Sequence, residues 1–561
     1  MKPSLYLIIA IIASALFLPF LGSVHLFDWD EINFAESARE MLVTGDYARV
    51  QINFKPFWEK PPLFIWMQAL SMKIFGINEY AARFPNAITG IITLLVLFFV
   101  GKKHFDKKMG LLWAMVYAGS FLPHLYFKSG IIDPVFNLFI FLGIYFIYKS
   151  SIEKFASGKY KNSAVAGLFI GLAVITKGPV GLLVAGLSIL VYLLILFLKR
   201  RNHLREKDSS PLQANVYIGR YNNPFTIKEA LVFAGVCALV AFGWFGIETV
   251  KNGPWFLQEF IVYQIRLFKT QDAGHGGPFI YHFVVLYLGC FPASIFIFKA
   301  FKKDLADNED QSILKLWMVI CFLVVLILFS IVKTKIVHYS SFCYFPLTFF
   351  AAYSIWKMLA GNLIEKLYRV QILIIGVLIG LLFAAFPLFL QHKKSLLEKY
   401  AFLIKDDFAL ANLEAEIPMS GFEWIPGILY IFVILYIYFS NRNNYQKISV
   451  LFLSTCVLIQ FALYFLVPKI EAFSQRAAID FFESKKDENA ILDVHGYKSY
   501  AHLFYGKRMP ENALYSEAQH IWDPLPKPVY LVTKINNSDL DQVKGFIKIG
   551  QKNGFVFYKK Q

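Results

Sequence analysis

Long apolar runs, each separated from the next by a short stretch rich in Lys and Arg, constrain this chain more than any other feature. Many of them approach or exceed the roughly 18 residues needed to cross a bilayer core. They predict an all-α polytopic membrane protein. Of the 561 residues, 57% are hydrophobic and 17% charged. A net charge of +17 would suit a nucleic-acid binder, but much of the Lys and Arg lies in the short loops between apolar runs. That is the pattern of the positive-inside rule, so the charge reports topology, and nucleic acid is not the expected partner.

Walking along the chain gives about 13 spans, with the N-terminus inside and the C-terminus outside. The first apolar run has only Lys2 before it and no A-x-A pattern after it, so it reads as a retained span. The five cysteines, Cys237, Cys290, Cys321, Cys343 and Cys456, lie in or beside apolar runs without a C-x-x-C pair. They read as small buried hydrophobes. Two domains follow: residues 1–467 in the membrane, with a first external loop at 23–86, and a C-terminal α/β domain at 468–561 outside it. In the second, the pattern predicts helices at 471–485 and 499–504, strands at 490–494 and 529–533, and a hairpin at 546–558.

The first external loop is charged and amphipathic. It predicts a helix over Asp30–Thr44 with Phe34, Ala35, Ala38, Met41 and Leu42 on one face and Glu36, Arg39 and Glu40 on the other, stopped at Gly45. Asp30-Glu31 opens that helix, and acids there commonly complement the macrodipole; on the same outer face they are also candidate catalytic carboxylates. In Glu59-Lys60-Pro61-Pro62, the lysine is either a surface cation or a point-charge partner for a lipid phosphate, held by the prolines. Asp133, before a proline in an external turn, is a turn residue or a second carboxylate. In the segment KTKIVHYSS, Lys333, Lys335, His338 and Tyr339 either snorkel to the surface or converge as anion ligands, with Arg266 joining them. His275, between glycines, is a loop residue, a metal ligand or a base.

The motif W-D-E-x-x-x-A-E-x-A-R-E-M-x-x-x-G-D, then F-W-E-K-P-P-L, resembles the first loop of GT-C superfamily glycosyltransferases. The similar branch holds the lipid A aminoarabinose transferase and the protein O-mannosyltransferases. Asp133 and the K-x-K-x-x-x-Y pattern ending at Tyr339 support it. The resemblance implies a polyprenyl-phosphate sugar as donor and transfer at the outer, periplasmic face of a bacterial inner membrane. The acceptor would be lipid A or, alternatively, Ser/Thr of an envelope protein. It implies catalytic roles for Asp30 and Asp133 and phosphate binding by Lys60, Arg266 and Tyr339; from their own place in the chain, Glu31 joins the catalytic candidates and Lys333 and Lys335 join the phosphate ligands. It names no certain cofactor; a divalent metal near Glu59, with His275 and His338 as further donors, is the candidate. Asn33 and Phe34 stand where the aminoarabinose transferases carry Arg and Tyr, and Gln264 stands where a histidine is expected. A flippase for a polyprenyl-linked sugar is the reading from a different class. It predicts inverted repeats and charges at mid-membrane, whereas the charges here cluster at outer span ends and no repeat is visible.

Overall fold

The computed structural model describes residues 4–205, 226–270, 276–302, 306–361, 365–513, 527–537 and 539–560. The first apolar run forms α1 (Leu5–Phe17). The external loop then folds into α2 (Asp30–Thr44), a hairpin of β1 (Gln51–Ile52) and β2 (Lys55–Pro56), and α3 (Leu63–Phe75). Gly45 ends α2 in the left-handed region at φ 72°, returning its N–H to the Met41 carbonyl; glycine adopts that conformation without steric cost.

A long helix, α4 (Glu79–His104), leads inward and ends on Lys102, Lys103 and His104. The chain returns through α5 (Lys107–Ala118) and α6 (Phe121–Tyr126), two helices where the sequence reads as one span. Gly101 and Gly110 let α4 and α5 touch: a Cβ on Gly110 would meet the Phe98 carbonyl at 2.5 Å. Small residues at such crossings are the usual device for close helix packing in lipid. Then follow α7 (Asp133–Ile152), α8 (Ala156–Lys177), α9 (Val180–Arg205), α10 (Ile227–Asn252) and α11 (Trp255–Lys269).

The expected eighth span is bent. Its first half, α12 (Tyr281–Gly289), meets the 3-10 turn Ala293–Phe301 at 112°. Pro292 lies at the break, and a proline has no N–H to continue the ladder. Beyond it come α13 (Glu309–Ile331), the 3-10 turn Val337–Cys343, and α14 (Tyr344–Ala360). Among the described residues, seven helices are long and apolar enough to cross a membrane, or eight if the bent pair is one span. Shorter apolar helices such as α1 add to these. The bundle packs around aromatic side chains, with Trp113 edge-on to Phe141 and Phe349, and Phe141 stacked on Phe345 at 4.7 Å.

The last membrane helix runs on without a break from Asn444 to Ser474. The expected domain boundary at 467 therefore falls inside a helix, where a π turn at Ala462–Leu466 accommodates Pro468. The expected helix over 471–485 divides at Gln475, whose side chain donates to the Leu26 carbonyl at 2.7 Å. The C-terminal domain carries a four-stranded sheet: β3 (Ile491–Val494) pairs parallel with β4 (Val529–Lys534). β6 (Phe555–Lys560) joins β4 antiparallel, and β5 (Phe546–Lys552) lies outside β6.

This domain sits on α2 and changes the reading of that helix. Glu36, Arg39 and Glu40 are not a solvated face; they are 0%, 2% and 0% exposed. Arg39 makes two 2.7 Å bonds to Glu36 and a third, at 2.6 Å, to the Arg508 carbonyl of the C-terminal domain. Glu40 accepts from the backbone N–H groups of Asn53 and Phe54, the two left-handed residues at the hairpin tip. Buried charges persist only when paired and hydrogen-bonded, and here residues some 470 positions away complete the pairing.

Candidate active site

Beneath α2 lies a cavity of about 630 Å³ lined by two kinds of side chain. Asp30, Glu59, Lys60, Asp133, Lys177, Tyr263, Arg266, His338 and Tyr339 are the polar ones. Ile140 of α7, Val180 and Val184 of α9, and Val325 and Phe329 of α13 are apolar. Charged groups and the apolar faces of membrane helices thus share one cavity.

Asp30 is the first residue of α2, with its side chain 34% exposed and His338 Nε2 3.6 Å from its Oδ2. Burial, aided by Lys60, holds the His338 imidazole below its ordinary pKa despite Asp30. At neutral pH the ring is uncharged.

Glu31 is placed differently. Arg83 Nε and Nη2 reach its two oxygens at 3.0 and 2.8 Å, and the N–H groups of Gly130 and Phe27 add bonds at 2.5 and 2.8 Å. Burial would raise its pKa, but the Arg83 charge and these donors bring it below the ordinary carboxylate range. Arg83 in turn donates to the carbonyls of Leu21, Val24 and His25. This cluster ties the loop to α4 and leaves Glu31 no free lone pair for chemistry.

Asp133, 2% exposed at the start of α7, accepts from Lys177 Nζ at 2.5 Å through Oδ1. Its Oδ2 has no protein partner among the described residues. Lys177 ends α8 and also lies 5.5 Å from the Tyr339 ring. No motif in the sequence marks Lys177 as a site residue. The available signal was a lysine at the outer tip of a span hairpin, before Gly178-Pro179, opposite the carboxylate of the preceding span.

Lys60 and Arg266 converge on one aromatic: each lies 5.2 Å from the centroid of Tyr263. Tyr339 completes that wall, and burial raises its phenol, so it is a protonated hydrogen-bond donor at neutral pH. Two cations and a hydroxyl on one wall are what a phosphate monoester needs.

Two expected phosphate ligands are not there. Lys333 is exposed and outside the cavity wall. Lys335 is 5% exposed, with Nζ on the carbonyls of Phe329, Ser330 and Val332 at 3.0, 2.7 and 2.5 Å. It caps the C-terminal end of α13, whose last carbonyls have no helical partner. His275 lies outside the described residues. Glu59 and His338 both line the cavity, but among the described residues no three His, Cys, Asp or Glu side chains group as metal donors. The cations Lys60 and Lys498 share the wall with Glu59, so this donor set does not fit a divalent ion. Lys498 comes from the C-terminal domain, with Nζ 4.0 Å above the ring of Trp29, the residue before Asp30. No motif in the sequence pointed to it.

The solved structure of ArnT from Cupriavidus metallidurans bound to undecaprenyl phosphate superposes with a TM-score of 0.74. It covers 100% of this chain and 98% of the other at 15% identity. The chain has the ArnT fold. Residues 59–210 match the dolichyl-phosphate-mannose-protein mannosyltransferase family. An undecaprenyl phosphate-α-4-amino-4-deoxy-L-arabinose arabinosyl transferase of Wigglesworthia glossinidia brevipalpis is 26% identical over 352 residues, 62% of this chain. The match spans 57% of that relative's length. An uncharacterised protein of Aquifex aeolicus (strain VF5) is 27% identical over 65% of this chain and 74% of its own. The chain thus resembles GT-C glycosyltransferases of the ArnT and mannosyltransferase branch.

Proposed function

We propose that this chain is a membrane glycosyltransferase that moves a monosaccharide from a polyprenyl-phosphate donor to lipid A, at the periplasmic face of a bacterial inner membrane. The observation that carries the reading is a single cavity lined both by the cations Lys60, Lys177 and Arg266 and by apolar side chains of membrane helices. A ligand that suits both is an anion on a long hydrocarbon chain. Relatives named for undecaprenyl phosphate support that choice of lipid.

In this reading the polyprenyl chain enters along Val180, Val184 and Val325, and its phosphate rests against Lys60, Arg266 and Tyr339. The sugar lies toward Asp30 and Asp133, whose unpartnered Oδ2 accepts from a sugar hydroxyl or amine. The acceptor oxygen attacks the anomeric carbon as the bond from that carbon to the phosphate oxygen breaks. The departing group is a phosphate monoester anion, and donors fixed in place before the reaction stabilise its growing charge. A phosphate acceptor on lipid A is already ionised, so no proton need be removed, and Asp30 orients the sugar. A hydroxyl acceptor would instead need Asp30 as general base.

The test is mass spectrometry of lipid A and of envelope glycoproteins from cells with and without this protein. Loss of a sugar from lipid A phosphate is the expected result. Loss of a sugar from protein, with lipid A unchanged, would replace lipid A by a protein acceptor.

A further inference from the structure

The Asp30 carboxylate makes a long contact, 3.6 Å, to His338, and Trp29 before it occupies the N-cap of α2 with an indole in place of the short polar side chain that usually caps a helix. The first N–H groups of a helix have no intrahelical partners, so the direction of Asp30 depends on how the chain enters α2. The residues that lead into it are held from far along the sequence. The Leu26 N–H donates to Tyr505 Oη at 2.6 Å, and the Leu26 carbonyl accepts from Gln475 Nε2 at 2.7 Å. The Asp28 N–H donates to Gln475 Oε1 at 3.2 Å, so one side-chain amide bridges residues 26 and 28. The Tyr500 N–H donates to Asp28 Oδ1 at 3.3 Å, and the Tyr500 ring stands edge-on to Trp29 at 5.8 Å.

These contacts come from Gln475, just past the end of the last membrane helix, and from the C-terminal domain. Gln475 and Tyr505 lie outside the cavity wall and act on backbone groups. The residue on the other side of Asp30 is tied elsewhere: Glu31 is held by Arg83 of α4. Asp30 therefore stands at a joint, between an entry fixed by the C-terminal segment and a helix fixed to the membrane bundle. Misplacing a reacting group by about 1 Å costs on the order of a hundredfold in rate, so a joint at this position bears on the reaction step.

We infer that the C-terminal segment positions the Asp30 carboxylate for transfer, with Gln475 and Tyr505 as positioning residues that hold the backbone entering α2. This rests on the glycosyl-transfer reading above, in which the sugar lies toward Asp30. The C-terminal domain is then needed for the reaction step and not for donor binding, because Lys60, Arg266 and Tyr339 come from other parts of the chain. His338 reports the position of Asp30 independently of turnover, since the Asp30 charge raises the His338 pKa against the burial and the Lys60 charge that lower it.

The experiment uses the full chain in lipid nanodiscs and compares wild type, Gln475→Leu, Tyr505→Phe and Asp30→Asn. Three quantities are read: transfer kinetics to lipid A, undecaprenyl phosphate affinity, and the His338 titration by NMR of ring-labelled histidine, assigned with His338→Gln. Loss of two neutral hydrogen bonds predicts about a tenfold fall in kcat for Gln475→Leu, and loss of one predicts about threefold for Tyr505→Phe. Donor KM and undecaprenyl phosphate affinity stay at the wild-type values. His338 titrates at lower pH than in wild type in both variants, as it does in Asp30→Asn. A wild-type kcat per folded molecule with a wild-type His338 titration overturns the inference even where melting is lowered, because the contacts then only hold the domain in place. An equal loss of undecaprenyl phosphate affinity also overturns it. If Gln475→Leu does not fold, Tyr505→Phe decides by the same readings. Wild type that transfers no sugar to any acceptor would sink the transfer reading, whereas the His338 titration would still say whether Gln475 and Tyr505 set the place of Asp30.

Discussion

Replacing Glu31 with Gln alters one atom of a buried cluster that holds the roof of the site to the bundle. Four N–H groups point at the two Glu31 oxygens, two of them from Arg83. An amide offers one oxygen, so whichever way it turns its NH₂ faces one backbone N–H and one guanidinium N–H, donor against donor. Arg83 keeps its charge, buried and 3% exposed, with only three carbonyls to hold it. Breaking one partner of a buried ion pair costs about 3–5 kcal/mol, or roughly two to three and a half decades in the population of the correctly held loop. Melting of the purified protein, followed by tryptophan fluorescence, should therefore shift clearly downward in Glu31→Gln. Transfer per folded molecule, measured well below that transition, should stay within about threefold of wild type, since no reacting group is lost. Asp30→Asn gives the opposite pattern, an unchanged melt with transfer lost. A Glu31→Gln protein that melts like wild type and transfers nothing would refute the reasoning and put Glu31 among the reacting groups.

Three further outcomes follow from the geometry. Lys60→Ala should weaken undecaprenyl phosphate binding about tenfold or more, the worth of one charge-assisted contact; titration calorimetry in nanodiscs reads it, and an unchanged affinity makes Lys60 a surface cation. Lys335→Met should leave that affinity intact while lowering the melting temperature, because three carbonyls at the end of α13 lose their donor; a specific loss of lipid binding would return Lys335 to the phosphate site. His25 Nδ1 lies 2.8 Å from Glu471, and although burial opposes it, the bond and charge of Glu471 raise the His25 pKa above 6.5. That stabilisation is full below pH 6.5 and is lost as pH rises through the higher folded value. Melting temperature should therefore fall across that window in wild type and fall less in His25→Gln, and equal slopes would contradict it.

What the sequence made legible was local. The Asp30–Thr44 helix is bounded as its pattern predicts, because a glycine stop and an acidic first turn are encoded within a few residues. The strands of the C-terminal domain were readable for the same reason. What escaped depends on distant partners. The polar face of α2 looks solvated until the Arg508 carbonyl and the hairpin tip arrive to cover it. Lys335 looks like an anion ligand until the helix end beneath it is seen to need a donor. Lys177 and Lys498 carry no motif; each gains meaning only from Asp133 or Trp29 across the fold. The bend at Pro292 was written in the chain, yet hydropathy alone reads through it.

The most direct measurement is transfer of a labelled sugar from undecaprenyl phosphate to lipid A by the purified protein in nanodiscs, in wild type and Asp30→Asn. The predicted result is labelled lipid A and free undecaprenyl phosphate in equal amounts with wild type, and neither with Asp30→Asn, which still binds the donor. Movement of the intact donor across the bilayer with no label on any acceptor would contradict the transferase reading and favour a carrier of the lipid-linked sugar.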